Sequence, residues 1–189
     1  MLYALKKVAL LLDEYHPGFK LKIYDAYRPI EVQAFMVEHV ADAYCRRIAG
    51  ILLSEAEDEI RQRAYDHAHD IWAPAVDDFS SPPPHSTGAA VDVTVVDTRG
   101  RELDMGSLVD EHENASPESF VDSDHPEAEV FHRNREVLSV FMESGGFARL
   151  PHEWWHFSLG DQNEVFSKML RGFLPPNSTA RYGRFVPRE

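Results

Sequence analysis

Cysteine is nearly missing from this sequence. Cys45 is the single one in 189 residues, so no intramolecular disulfide can form and no thiolate cluster can hold a metal. Long apolar runs are missing too, since none approaches the roughly 20 residues that a membrane-spanning helix needs. The apolar stretch Val8 to Leu12 is brief and is followed by Asp13, Glu14 and Tyr15 rather than by small residues. It reads as part of an ordinary helix, not as a secretory leader, and a cytoplasmic setting is expected. Positive charge is scarce, with 19 basic residues against 32 acidic and a net charge of −13. That balance argues against a general nucleic-acid binder and against a partner of anionic membranes. No internal repeat is present.

The apolar fraction is ordinary and the length suits a single domain. We expect one domain over 1–189, with a helical insertion around 50–75 and an irregular tail from about 175. Leu2, Leu5, Val8, Ala9 and Leu12 recur at helical spacing, and Pro17-Gly18 ends that segment. The alternation around Leu21 and Ile23 predicts a short strand through Tyr24 and Asp25. Pro29 and Glu31 suit the start of a second helix, running to about Ala49 with Cys45 as a packing residue. Ser54-Glu55-Ala56-Glu57 has the form of a capping box and predicts a third helix towards Trp72. Val91 to Val96 is a β-branched strand closed by a turn at Asp97-Thr98-Arg99-Gly100. An acidic loop at 106–127, a helix from about Glu129 to Glu143 stopped by Gly145-Gly146, and a strand from Glu153 to Leu159 complete the pattern. Helices and strands do not alternate regularly, so an α+β class with an antiparallel sheet flanked by helices is expected.

Three segments carry groups capable of chemistry. In the first, His85 leaves the Pro-rich run Ser80-Ser81-Pro82-Pro83-Pro84, and Asp92 follows on an apolar strand after the small Gly88, Ala89 and Ala90. A carboxylate on such a strand is costly unless it is paired or bound to a cation. Satisfaction of Asp92 by backbone donors is the plainer alternative. In the second, Glu153-Trp154-Trp155-His156 sets a carboxylate and an imidazole in apolar surroundings that can raise a carboxylate pKa. Residues three apart point to opposite faces of a regular strand, so Glu153 can share a site with His156 only from an entering loop or a bulge. A buried, hydrogen-bonded histidine is the commoner fate of His156. In the third, Tyr27-Arg28-Pro29 places a planar cation at a strand-to-helix junction, which taken singly reads as a surface ion pair. Jointly, two histidines and an aspartate make a three-ligand zinc site with an open position, and a non-ligand glutamate is the expected general base.

The three segments resemble the family of zinc D-alanyl-D-alanine dipeptidases and D,D-carboxypeptidases, with the closest likeness to vancomycin-resistance-type dipeptidases. The family pattern Ser-x-His-x-x-Gly-x-Ala-x-Asp is met by His85, Gly88, Ala90 and Asp92. Its Glu-x-x-His is Glu153-Trp154-Trp155-His156, its Tyr-Arg-Pro is Tyr27-Arg28-Pro29, and Met105-Gly106-Ser107 followed by Asp110 is similar to the dipeptidase subgroup. The likeness spans roughly Leu21 to Phe173. It implies one zinc ion per chain held by His85, Asp92 and His156. Glu153 would activate the zinc-bound water and later donate the proton, and Arg28 would stabilise the transition state. It also implies Asp110 at the ammonium group of a small dipeptide such as D-Ala-D-Ala, with Tyr27 and Trp155 as further substrate contacts. Carboxypeptidase action (D,D or L,D) on peptidoglycan stem peptides and a non-catalytic zinc-stabilised binding module stand as alternatives.

The chain departs from the family where Pro83 replaces the serine two residues before the first histidine, which removes a hydroxyl and a backbone donor. It also begins late relative to the family and has a long stretch between Arg28 and His85. Of the other histidines, His67 and His69 lie two apart on a predicted helix and cannot share a face. His112, His125 and His132 belong to the acidic loop or its border, and His152 is a candidate neighbour of the site.

Overall fold

The structure, a computed structural model, describes residues 1–70, 72–76, 81–111, 113–175 and 178–186. Its elements run in the order α1 (Leu2–Tyr15), β1 (Lys20–Asp25), α2 (Ile30–Ala49), α3 (Asp58–His69), β2 (Ala90–Val96), α4 (Ala128–Ser144), β3 (Ala148–Leu150), β4 (Glu153–Ser158) and α5 (Gln162–Leu170). Short 3-10 turns at Leu53–Glu55 and Pro84–Thr87 precede α3 and β2. The strands form one antiparallel sheet in the order β1-β2-β4-β3. The class is α+β, as the irregular alternation of elements implied.

Strand β2 is central and almost wholly buried, which is why Val91, Val93 and Val95 are β-branched. These three point to one face and join Leu5, Val8 and Leu12 of α1, Leu138 and Met142 of α4, and Phe157 of β4 in the main core. Successive side chains of a strand alternate between faces, so Asp92 points the other way, towards the functional side. A second apolar cluster joins Val37, Ala41 and Cys45 of α2 to Ala64 and Ala68 of α3. The inserted helix is thereby seated on α2, and Cys45 is a packing residue within that seam.

Local chemistry explains most boundaries. Gly50 adopts φ 69° and its N–H reaches the Arg46 carbonyl at 3.1 Å, closing α2 in a left-handed cap. The third helix begins at Asp58, not at Ser54. The Glu55 carboxylate instead accepts the Leu52 N–H at 3.0 Å and stabilises the 3-10 turn. Two elements were not anticipated, β3 and α5. Helix α5 starts where Asp161 accepts the Glu164 N–H at 3.0 Å, and that spacing of cap and acid was legible in the sequence. Ser80, His112 and parts of the tail lie outside the described residues. Among the described residues, no helix is long and apolar enough to cross a membrane.

Candidate metal centre and active site

The sheet register builds the site. Asp92 and His156 are direct cross-strand partners of β2 and β4, so their side chains share a face and His156 Nδ1 stands 3.1 Å from Asp92 Oδ1. His85 comes from the 3-10 turn before β2, which Gly88 closes at φ 68°. Its Nε2 lies 3.2 Å from Asp92 Oδ2 and 3.3 Å from His156 Nδ1. Zinc bonds of roughly 2.0–2.1 Å at tetrahedral angles separate donor atoms by roughly 3.3 Å. The two imidazole nitrogens and the Asp92 carboxylate therefore stand close enough together for one ion to be held between them. They form the only such group of metal-capable side chains among the described residues.

Each histidine has its other nitrogen committed. His85 Nδ1 donates to the Ala26 carbonyl at 2.9 Å, which turns Nε2 towards Asp92 and His156. His156 Nε2 meets Ser158 Oγ at 3.3 Å, and Ser158 donates in turn to Asp161 Oδ2 at 2.9 Å. The fully buried Asp161 thus fixes His156 with Nδ1 turned inwards. Burial alone would push Asp92 up, but hydrogen bonds with His156 and His85 outweigh it and hold the carboxyl well below the usual range. Burial likewise disfavours charged His156. The hydrogen bond and charge of Asp92, with Glu153 and Asp161, reverse that and raise its pKa.

Glu153 meets the geometric condition that its spacing imposed. Ala148 and Arg149 pair with Ser158 and Phe157, but Leu150 pairs with Glu153, so the β3–β4 register slips. Through that bulge Glu153 Oε2 comes within 3.8 Å of His156 Nδ1. Burial raises its pKa, His156 and His85 oppose the rise, and Asp92 and Asp110 add to it.

Arg28 is not a surface ion pair. It is buried, with Nε 2.6 Å from Asp25 Oδ2, one Nη 2.7 Å from Gln33 Oε1, and the other 3.8 Å from Asp92 Oδ2. A bulge between Ile23 and Asp25 brings Asp25 opposite Asp92, so the guanidinium lies between two carboxylates. Trp72 from the segment after α3 stacks on its face at 4.9 Å, and Gln33 also donates to the Ala73 carbonyl at 2.6 Å. Asp25, Gln33, Trp72 and Asp161 all support the site, and none was singled out from sequence.

These groups open on a cavity of about 440 Å³ lined by Arg28, Trp72, Asp92, Asp110, Trp155 and Asn163 among others. Pro83 also lines it, so the departure from the family serine faces the substrate space. Asp110 is pushed up to about 6 by burial and by the nearby Asp92. His152 lines an adjoining cavity with Asp110 and Glu153. Tyr27 is not among the cavity-lining residues described, and its ring meets Phe185 edge-on at 5.4 Å. His67 and His69 are apart from the site, on Tyr44 and the Trp72 carbonyl respectively. His125 packs on Phe120 and Phe131, and His132 Nδ1 is buried with no hydrogen-bond partner among the described residues.

The profile of the Peptidase M15 family, described as D-ala-D-ala dipeptidase, matches residues 3–173. A protein of Synechocystis sp. named D-alanyl-D-alanine dipeptidase is 39% identical over 173 residues, covering 86% of this chain and 68% of its own length. An Escherichia coli protein of the same name is 33% identical over 143 residues, 75% of this chain and 56% of its own. An Enterococcus faecalis one is 32% identical over 168 residues, 83% and 73% respectively.

Proposed function

The chain belongs to the Peptidase M15 family of D-Ala-D-Ala dipeptidases and is a metallopeptidase, and from that premise we propose that it hydrolyses D-Ala-D-Ala, or a closely similar small dipeptide, with one zinc ion. The observation that carries the reading is the convergence of His85 Nε2 and His156 Nδ1, 3.3 Å apart, on the two oxygens of the Asp92 carboxylate at 3.2 and 3.1 Å, with Glu153 beside them.

His85, Asp92 and His156 would hold the zinc ion, which would supply a Lewis acid for the scissile carbonyl and for water. Glu153, its pKa raised by burial, accepts the proton of the attacking water and returns it to the departing amine nitrogen. The Arg28 guanidinium, held rigid by Asp25, Gln33 and Trp72, faces the charge that develops on the carbonyl oxygen. Asp110, which lines the cavity, offers a carboxylate to the substrate ammonium. Trp155 supplies an apolar wall that limits water.

The test combines zinc content with hydrolysis on one sample, using D-Ala-D-Ala and its N-acetylated form. Stoichiometric zinc with rapid cleavage of the free dipeptide alone is expected. Preferential cleavage of the blocked substrate would make the enzyme a carboxypeptidase, and zinc without hydrolysis would make it a binding module.

A further inference from the structure

The loop that carries Asp110 is closed by a buried cation. Arg135 of α4 is 1% exposed, yet its four acceptors among the described residues are uncharged. Its Nε donates to the Met105 carbonyl at 2.7 Å and one Nη to the Ser116 carbonyl at 2.6 Å. The other Nη donates to Ser107 Oγ at 3.1 Å and to the Asn114 carbonyl at 2.8 Å. These acceptors sit on both sides of the loop's neck. Trp154, the residue after Glu153, ties the same neck to β4 through its indole N–H to Ser107 Oγ at 3.0 Å and its backbone N–H to the Ala115 carbonyl at 2.9 Å.

Beyond the neck the backbone is unusual. Asp110 and Asn114 hold φ of 65° and 60°, a left-handed conformation that is uncommon outside glycine and that Asp and Asn adopt more readily than other residues. Asp110 at this tip lines the substrate cavity and both adjoining cavities, one with Glu153 and His152, the other with Asp25 and Leu108. A shift of the neck therefore moves Asp110 relative to Glu153 and Asp92. Burying a cation against neutral carbonyls is a costly way to fill space, because an apolar side chain fills it without desolvating a charge. A planar fork of five donors is the feature that four converging acceptors use, and lysine lacks it.

We propose that Arg135 is a positioning residue for amino-terminal recognition: by closing the 105–116 loop it sets where Asp110 stands and thereby the preference for a free substrate ammonium. This rests on the reading of Asp110 as the ammonium partner. The guanidinium never touches the substrate and acts through the loop.

The experiment compares wild type, Arg135→Lys, Asp110→Asn and the double variant. It measures kcat and KM for D-Ala-D-Ala and for N-acetyl-D-Ala-D-Ala, with zinc content. Arg135→Lys keeps wild-type zinc and raises KM for the free dipeptide about tenfold with kcat within about threefold, the mark of a misplaced binding contact. Its selectivity over the acetylated substrate falls in step. In the Asp110→Asn background the same change adds nothing, because both act through one contact. Independent, multiplicative losses in the double variant overturn the proposal, as does a loss confined to kcat and zinc. If Arg135→Lys fails to fold, Ser107→Ala, which removes one shared acceptor, carries the same expectation and the same refutation. Wild type that cleaves both substrates alike overturns the underlying reading of Asp110. Wild type that discriminates, with non-interacting variants, overturns the role of Arg135 alone.

Discussion

Asp92 and His156 face each other across β2 and β4 with Oδ1 and Nδ1 3.1 Å apart. Without metal this is a buried ion pair, and its stability depends on pH from both sides. Hydrogen bonds with His156 and His85 depress the Asp92 pKa against the pull of burial. Its contribution is present above the unfolded value near ~4 and is lost as pH falls through that range. The His156 pKa is raised, mainly by Asp92 against burial. Its contribution is present below the unfolded value near ~6.5 and is lost as pH rises through the folded value. Asp110, raised to about 6 by burial, also favours the folded state only while protonated. Metal-free protein should therefore have its highest Tm at roughly pH 4–5, with the ionisation of Asp110 lowering it as pH rises to about 6. Asp92→Asn should flatten that maximum. Thermal melts in excess chelator across pH 3–9 check this, and a wild-type profile that keeps rising to pH 8 contradicts it.

Asp161 acts on the metal position at one remove, through the Ser158 hydroxyl to His156 Nε2. An amide in place of the carboxylate accepts more weakly, so His156 loses part of the force holding its tautomer and orientation. Asp161→Asn should weaken zinc binding by about 10–100-fold while leaving the fold intact. Competition against a chromophoric chelator measures the change. An unchanged zinc affinity would mean that the relay has no bearing on the metal.

Glu153 is reserved for proton transfer in this scheme and holds no metal. Glu153→Gln should keep wild-type zinc content and lower kcat by about 10²–10⁴-fold. Burial raises the Glu153 pKa, so the acid limb of the wild-type kcat/KM profile should lie above the ordinary glutamate range near ~4.3. A Glu153→Gln variant with unaltered kcat removes the general-base assignment. One that loses zinc makes Glu153 a ligand.

The three proposed ligands converge in the structure, and they were legible because each stood out chemically, a carboxylate on a valine-rich strand and a histidine beside two tryptophans. Their mutual geometry was not, since it depends on Asp92 pairing with His156 across the sheet, a long-range register that no local periodicity encodes. The Glu153 bulge was anticipated only as a requirement, and the slip at Leu150 is what supplies it. Arg28, which taken singly reads as surface charge, is buried because Asp25, Gln33 and Trp72 converge on it from three separate segments. Arg135 was not legible for a deeper reason: its hydrogen-bond partners among the described residues are backbone carbonyls and a serine, which no charge pattern in a sequence marks. The cap pattern at Ser54 to Glu57 places the start of α3 too early, since the helix begins at Asp58. The acidic pair Asp58 and Glu59 marks the real first turn, where it complements the helix dipole.

Gly106 links core and loop, and it offers a way to separate backbone strain from steric collision. It holds φ 77°, and a Cβ there would lie 2.5 Å from both Phe120 and Phe131, two buried rings packed against each other. Gly100 holds a similar φ of 75° but has open space around the same position. Gly100→Ala should therefore carry only the left-handed strain of about 1 kcal/mol. Gly106→Ala should add about 1–3 kcal/mol of overpacking. For a chain of this size each kcal/mol lowers Tm by about 2–4 °C, so Gly106→Ala should melt clearly below Gly100→Ala in the same scan. Because Gly106 lies within the neck that Arg135 closes, its alanine variant should also raise KM for the free dipeptide, and Gly100→Ala should not. Equal Tm losses in the two variants would show that the aromatic pair yields to the methyl and that only backbone strain matters there.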